Sequence, residues 1–504
     1  RSLLSRPSAI RRCRALQMTS GSTPASPAAE SPPPVLISRQ GRAGLIQLNR
    51  PRALNALTLP MLTETLQALH RWQSGRCRPD AVDLIIIKGC TRSGSTRRPV
   101  FCAGGDVRAV AAAARLSRSR RRQLHLATAG LDQQVDNNCG SNPSEFFRVE
   151  FQLNHAIGLS ALNLSQLPPG WSPYQPFVAL MDGIVMGGGA GVSVNGSHRV
   201  ATEHTLFAMP EAAIGFFPDV GGGHFLGRLP GELGTFLALT GHRLAGRDVR
   251  ACGIAIATHF VRSDLLSELE DRLCHGCWPS GSGPDSHSRV SAILDEFESR
   301  SSDSGSRSSS SARDSAAGWS LSPHLAEIDA HFSRCSVSEI LSSLAAAAPS
   351  SQFAANQLSA MRAASPTSLA VSLRQIRRCR RLGDSLARVL RLEYRLAVRL
   401  VDGNEQDGEG DGDSGDFLEG VRAALDDKGR GQPPKWRPAS VAEITEAQLE
   451  KYFRPLPPGQ ELTFALPSDG LCGGDALEID ADCDIAPAEQ QLLGDGRGAD
   501  GGRL

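Results

Sequence analysis

Short apolar runs alternate with helical periodicity in the first half of the chain. The segments DLIIIKG (83–89) and PFVALMDG (176–183) are continuous apolar runs that end in glycine, which is typical of strands buried on both faces of a sheet. An earlier run, GLIQLNRP (44–51), predicts another strand, and the leucines that follow Thr58 share one helical face, at positions 59, 62, 66 and 69. The remaining predicted strands are short: HRVAT (198–202) and TLFAM (205–209). This alternation indicates an α/β core with right-handed crossovers.

Beyond residue 230 the pattern becomes helical, and low-complexity segments interrupt it. Residues 299–322 are rich in serine, which fills seven of the ten positions from 301 to 310. Residues 402–416 carry seven acids and five glycines. Such compositions bury too little apolar area to offset the entropy of ordering, so both segments are predicted to be solvated insertions. The predicted organisation is a core at 35–260, a helical region at 261–455 and a flexible tail at 456–504.

The first thirty residues have the composition of an organellar targeting sequence. Five arginines and many serines precede the first acid, Glu30. This pattern predicts a transit peptide at residues 1–30 and favours the mitochondrial matrix over a plastid or a peroxisome. A disordered basic tail without a targeting role is the alternative.

Composition excludes several classes of function. The chain has 504 residues and a net charge of +1, which gives no electrostatic reason to expect a nucleic-acid partner. It has no apolar run of about 18 residues, so no membrane insertion is predicted. Twelve cysteines show no disulfide-framework spacing, and the pair Cys274 and Cys277 lacks the second pair that a zinc site needs. No metal site is therefore predicted.

Two acids interrupt an apolar, glycine-rich stretch. Glu211 and Asp219 are the only ionisable side chains in FAMPEAAIGFFPDVGGG, residues 207–223. A glutamate at a helix N-terminus and an aspartate in a turn would be a purely structural arrangement. Two carboxylates in a dry pocket raise one another's pKa, which suits acid–base chemistry near neutral pH.

Two glycine clusters follow the predicted strands, in FCAGGD (101–106) and MDGIVMGGGAGVSVNG (181–196). Neither fits a phosphate-binding loop, and GVSVN lacks the glycine of a nucleophile elbow. Glycines let backbone N–H groups approach a ligand closely, and two such groups from separate loops can form an oxyanion hole. The alternative is that these glycines only permit tight turns and close helix packing.

Taken in order, these motifs resemble the crotonase (enoyl-CoA hydratase/isomerase) superfamily, and within it a branch of acyl-CoA thioester hydrolases. The resemblance extends over roughly residues 35–455, outside the insertions and a divergent stretch at 111–145. The further motifs that carry it are FLALTGHRLAGRDVRACGIAIATHFV (236–261), SPTSLAVSLRQI (365–376) and FLEGVRAALDDK (417–428). It implies a spiral of ββα units with a helical C-terminal region and an acyl-CoA substrate. It implies no cofactor, because CoA is part of the substrate.

The resemblance also implies which residues carry the chemistry. Gly105 and Gly188 match the two residues whose backbone N–H groups form the family's oxyanion hole. Glu211 matches one catalytic glutamate of the hydratases, whereas the position of their second glutamate is Gly191 here. Asp219 stands where hydratases commonly have glycine. The implied substrate contacts are Glu150, Gly188, Glu211 and Asp219.

By this resemblance to the hydrolase branch, the carboxylate pair implies hydrolysis rather than hydration. The reaction implied is cleavage of the thioester of 3-hydroxyisobutyryl-CoA to 3-hydroxyisobutyrate and CoA, in valine degradation. Glu211 acts either as a general base or as a nucleophile through a mixed anhydride. Asp219 positions the water or binds the 3-hydroxyl of the substrate.

Two other functions are compatible with the sequence. One is a hydratase or isomerase acting on another short acyl-CoA, against which Gly191 argues. The other is a non-catalytic subunit of a larger organellar assembly, against which the intact acids and glycines argue. The acyl group is not fixed by sequence, and association into a homo-oligomer is left open.

Overall fold

The computed structural model of the chain describes residues 32–73, 81–91, 98–127, 143–162, 174–253, 255–276, 284–303, 319–383, 385–402, 415–427 and 430–464. The described residues from Pro34 onward form one compact unit. The predicted transit peptide lies outside the described residues, as do most of the two predicted insertions and the tail from residue 465. No helix in the described part of the chain is long and apolar enough to cross a membrane.

The described residues contain ten strands, arranged in two sheets. The strands are β1 (Val35–Gln40), β2 (Ala43–Leu48), β3 (Leu84–Gly89), β4 (Val100–Cys102), β5 (Phe177–Met181), β6 (Ile184–Met186), β7 (His198–Ala201), β8 (Leu206–Ala208), β9 (Leu244–Ala245) and β10 (His259–Phe260). The larger sheet has the order β1-β2-β3-β5-β7-β10 and the smaller one β4-β6-β8-β9. The pairs β1–β2 and β8–β9 are antiparallel, and the other pairs are parallel.

Sixteen α-helices lie in the described ranges. They are α1 (Leu59–Gln73), α2 (Val107–Ala127), α3 (Pro143–Gly158), α4 (Gly188–Val194), α5 (Gly222–Gly227), α6 (Leu233–Thr240), α7 (Arg247–Ala251), α8 (Leu266–His275), α9 (Pro284–Asp303), α10 (Leu325–Phe332), α11 (Val337–Ala347), α12 (Gln352–Ala363), α13 (Pro366–Arg381), α14 (Leu386–Asp402), α15 (Asp416–Val421) and α16 (Glu446–Phe453). Short helical turns join several of them. Beyond β10 the described chain is helical or irregular, without strands.

A repeated unit of two strands and one helix builds the first half of the fold. Each unit has one strand in the larger sheet, one in the smaller sheet and then a helix: β3–β4–α2, β5–β6–α4 and β7–β8–α5. Strand β5 is buried along its length and β3 over its first four residues, because helices cover both faces of the larger sheet. The repeat agrees with the predicted spiral of ββα units.

The chain end that the sequence assigns to the tail is partly built into the fold. Residues 456–464 lie against α3 and α14, and Leu462 and Phe464 are buried. The Arg148 guanidinium donates to the carbonyl oxygens of Gln460 and Glu461, and the ring of Phe464 stacks on His155 at a centroid distance of 4.1 Å. This segment therefore covers the helix that carries Glu150.

Candidate active site

The candidate site residues follow three neighbouring strands of the smaller sheet. Strands β4, β6 and β8 lie side by side, with β6 parallel to both neighbours. Because parallel strands end at the same edge, the chain segments that leave them meet there. Gly105 follows β4, Gly188 follows β6, and Glu211 and Asp219 follow β8.

Gly105 and Gly188 come together at the start of α4. A methyl group built on Gly188 would lie 3.1 Å from the backbone nitrogen of Gly105 and 2.5 Å from Oε1 of Glu150. Gly187 precedes the helix with a φ of +49°, a conformation that favours glycine. Within the described residues, neither Gly105 nor Gly188 donates its N–H to another backbone group in a turn or loop. Two N–H groups from separate loops are thus available at one point.

The three predicted acids are buried beside these glycines. Glu150, Glu211 and Asp219 are 2%, 6% and 5% exposed. Oε1 of Glu211 lies 3.1 Å from a methyl group built on Gly187, and Oε1 of Glu150 meets Gly188. Oε1 of Glu150 and Oε2 of Glu211 are buried without a hydrogen-bond partner among the described residues. Buried carboxyl oxygens without partners are expected where a ligand completes the network.

Burial sets the protonation of the cluster. It raises the pKa of Asp219 to about 7. It also raises the pKa of Glu211 well above the ordinary value, and the Asp219 charge adds to this rise. The pKa of Glu150 rises for the same reason, with the charges of Asp219 and Glu211 contributing. The cluster therefore retains protons near neutral pH, where it can exchange them with a substrate.

The structure gives a steric reason for Gly191. A methyl group at this position would lie 2.7 Å from Cβ of Val220 and 2.8 Å from Nδ2 of Asn154. Val220 has a φ of +55°, which is strained for a β-branched residue and places its side chain against α4. The residue next to Asp219 thus occupies the space that a second glutamate would need.

Side chains of the C-terminal helices fix the Asp219 loop, and sequence reasoning missed them. The Glu393 carboxylate of α14 accepts from the N–H of Gly221 at 2.7 Å and of Gly223 at 2.8 Å. The Gln375 amide of α13 donates to the Pro218 carbonyl at 2.6 Å and to Glu393 at 2.8 Å. The signal in the sequence was a glutamate within the apolar face of α14.

The turn that carries Glu211 is also held by residues of the C-terminal helices. The N–H of Ser365, at the start of α13, donates to the Ala212 carbonyl at 3.1 Å, and its hydroxyl donates to Asp416 at 2.6 Å. Gly215 ends the turn with a φ of +73°, and a methyl group there would lie 2.1 Å from the Asp416 carbonyl oxygen. Both loops that carry acids therefore depend on helices beyond residue 360.

Glu393→Gln is expected to flatten the pH dependence of stability. Burial raises the pKa of Glu393 from its ordinary 4.5 to about 8, although the Gly223 and Gly221 hydrogen bonds lower it. A carboxyl with a raised pKa stabilises the fold below the unfolded-state pKa, and this contribution is lost as the pH rises through the folded-state value. Each such carboxyl lowers the free energy of unfolding by about 1.4 kcal/mol per pH unit in that window. Urea unfolding between about pH 5 and pH 8 measures the slope, which should be smaller in the variant.

The control for this measurement is Glu64→Gln, an exposed glutamate on α1. It should leave the slope of the wild-type protein unchanged. Equal slopes in the wild type and Glu393→Gln would contradict the assignment of this titration to Glu393.

Sequence comparison places the chain in a family. The family model described as enoyl-CoA hydratase/isomerase matches residues 43–453. The chain therefore belongs to the enoyl-CoA hydratase/isomerase family, as the motifs predicted.

Relatives within this family carry a more particular name. The mitochondrial 3-hydroxyisobutyryl-CoA hydrolase of Danio rerio is 40% identical over 84% of this chain and 90% of its own length. The human protein of that name is 39% identical over 84% of this chain and 89% of its own length. The Mus musculus protein is 38% identical over 90% of this chain and 96% of its own length. These similarities confirm the predicted resemblance to the hydrolase branch.

Solved structures confirm the predicted crotonase-like fold. A carnitinyl-CoA dehydratase from Mycobacterium thermoresistibile is 31% identical, with a TM-score of 0.61, over 86% of this chain and 98% of that one. An enoyl-CoA hydratase from Rhodobacter sphaeroides is 31% identical, with a TM-score of 0.59, over 86% of this chain and 100% of that one.

Proposed function

We propose that this chain hydrolyses the thioester of 3-hydroxyisobutyryl-CoA to 3-hydroxyisobutyrate and CoA. The observation that carries the proposal is the pairing of Glu211 with Asp219 beside two available N–H groups, while position 191 has no space for a hydratase glutamate. The relatives named as hydrolases of this thioester support it. No cofactor is required, because CoA enters and leaves with the substrate.

The proposed chemistry begins with the thioester carbonyl in the oxyanion hole. Its oxygen accepts hydrogen bonds from the N–H groups of Gly105 and Gly188, which stabilise the negative charge that develops when the carbonyl carbon is attacked. Glu150, in contact with Gly188, lies where it can contact the acyl group. The tetrahedral intermediate collapses by cleavage of the carbon–sulfur bond, and the CoA thiolate takes a proton from the carboxyl cluster.

Glu211 supplies the attack by one of two routes. As a general base it takes a proton from water, whose oxygen bonds to the carbonyl carbon. As a nucleophile it forms a mixed anhydride, which water then hydrolyses. Asp219 positions the water in either case. Label in Glu211 after a single turnover in ¹⁸O-water would establish the anhydride route, because water that attacks the protein carbonyl of the anhydride leaves its oxygen in the glutamate.

Asp219→Asn is expected to move the pH–activity profile. The general base works only when ionised, so kcat/KM of the wild type should rise with pH across the neutral range. The Asp219 charge contributes to the raised pKa of Glu211, so its removal should shift the midpoint of the residual activity to lower pH. It should also lower kcat by roughly 10²-fold or more, since water loses its positioning group. A reduced rate with an unmoved midpoint would contradict this electrostatic coupling.

Thiol release from 3-hydroxyisobutyryl-CoA, measured beside hydration of crotonyl-CoA, tests the function. Rapid thiol release without hydration supports the hydrolase. Hydration without thiol release would favour the hydratase alternative instead. Activity on neither substrate would favour a non-catalytic subunit.

We further propose that the protein acts in the mitochondrial matrix. The acid-free, arginine-rich leader before Glu30 and the mitochondrial relatives support this location. Fusion of residues 1–30 to a fluorescent protein tests it, and diffuse cytosolic fluorescence would contradict it.

A further inference from the structure

Asn154 is a buried amide beside the candidate site. It lies on α3 one turn beyond Glu150, so both side chains project from the same face of the helix. The residue is 0% exposed, and neither Nδ2 nor Oδ1 has a hydrogen-bond partner among the described residues. Buried polar atoms in folded proteins are nearly always paired, so an amide without a partner in the described part of the chain points to a ligand group.

The amide lies where the elements of the site meet. A methyl group built on Gly191 of α4 would be 2.8 Å from Nδ2 and 3.1 Å from Oδ1 of Asn154, and 2.7 Å from Cβ of Val220. Val220 adjoins Asp219, and Gly188 begins the same helix as Gly191. A neutral amide from α3 thus lies beside position 191, where a hydratase of this family would have its second glutamate.

The chemistry of an amide suits a hydroxyl group. A hydroxyl both donates and accepts a hydrogen bond, and an asparagine offers one acceptor and one donor group side by side. A neutral amide is not a base, so activation of water falls to the neighbouring acids. Gly191 lies three residues along α4 from Gly188, roughly 4.5 Å along the helix axis. The 3-hydroxyl of the proposed substrate lies two carbons beyond the carbonyl carbon, a separation of the same order.

We propose that the Asn154 amide binds the 3-hydroxyl of the acyl group, which makes Asn154 a specificity-determining residue. This inference rests on the proposed thioesterase function and names the part of the substrate that the site recognises. It also explains why position 191 is glycine, because a side chain there would displace the amide.

The test compares 3-hydroxyisobutyryl-CoA with isobutyryl-CoA, which lacks the hydroxyl. The wild type should prefer the hydroxylated thioester. Asn154→Leu, similar in size but apolar, should lower kcat/KM for the hydroxylated substrate by roughly 10–100-fold and leave that for isobutyryl-CoA within about threefold. The ratio of the two values is the readout, because a loss of folded protein would lower both alike.

Gln73→Leu is the matched control. Gln73 is a buried amide on α1 whose Nε2 donates to the Ala156 carbonyl at 3.2 Å, so its loss should reduce stability and leave the substrate ratio unchanged. Should Asn154→Leu fail to fold, Asn154→Ala removes both the donor and the acceptor without adding bulk, and it should lower the ratio in the same direction.

Three results would overturn the proposal. They are no preference of the wild type for the hydroxylated thioester, an equal loss on both substrates in Asn154→Leu, or an unchanged ratio in Asn154→Ala when Asn154→Leu does not fold. Inactivity of the wild type on both thioesters is a different result, because it would contradict the proposed thioesterase function and not only the role of Asn154.

Discussion

Glu211→Gln is expected to lower kcat for CoA release by roughly 10²–10⁴-fold, the usual contribution of a general base or acid. Glutamine keeps the size of the side chain and can still accept a hydrogen bond, but it cannot take a proton or attack the thioester. The glutamate lies on a turn held by Ser365 and closed by Gly215, so the substitution should not move the backbone. KM should change little, because the N–H groups of Gly105 and Gly188 still bind the carbonyl oxygen.

Removal of this buried acid should also raise stability near neutral pH. Burial raises the pKa of Glu211 and so makes its ionisation unfavourable in the folded state. Loss of activity in a protein that melts at the wild-type temperature or higher would therefore separate catalysis from folding. Glu64→Gln, on the exposed face of α1, should retain full activity. Glu211→Gln activity within about threefold of the wild type would remove Glu211 from the mechanism.

Gly191→Ala is expected to lower the free energy of unfolding by about 1–3 kcal/mol, the usual cost of overpacking a close-packed interior. Alanine normally stabilises a helix relative to glycine by up to about 1 kcal/mol, so the expected sign is opposite to the propensity. The reason is contact with Val220 at 2.7 Å and with Asn154 at 2.8 Å, both of which are fully buried. Chemical denaturation measures the change.

Gly227→Ala, on α5, is the matched control for this substitution. A methyl group there would meet its nearest neighbour, Cγ of Arg380, at an ordinary 3.5 Å. This variant should be as stable as the wild type or slightly more stable. Gly191→Glu should destabilise further and should gain no hydration of crotonyl-CoA. Measurable hydration by Gly191→Glu would show that one residue separates the two activities, against the steric argument.

The strands that were predicted correctly are those whose own sequence has a clear apolar pattern. Strands β2, β3 and β5 were confirmed because a continuous apolar run that ends at proline or glycine is typical of a buried strand. Strand β1 was missed because only Val35 of VLISRQ is buried and its last three residues are exposed, so it lacks a clear apolar pattern. Strands β4 and β6 are three residues long, too short to show periodicity.

Only those residues of the candidate site that lie in recognisable sequence motifs could be predicted. Gly105, Gly188, Glu150, Glu211 and Asp219 were named from resemblance, and the structure brings them together, while their roles stay proposals. The anchors of the Asp219 loop could not be found this way, because Glu393 bonds to a glycine 172 positions earlier in the chain. Nor does sequence alone reveal the left-handed backbone of Val220, which a valine adopts only when its surroundings impose it.

Helices α13, α14 and α15 hold the two loops that carry Glu211 and Asp219, and this limits where the chain can be truncated. A fragment ending at residue 260 would contain all five residues proposed for the chemistry. It would also lose the partners of Pro218, Gly221 and Gly223, and the serine that holds Ala212. The catalytic unit is therefore not the ββα spiral alone. Any minimal enzyme cut from this chain must retain α13, α14 and the start of α15, so its first half is not an independent module for engineering.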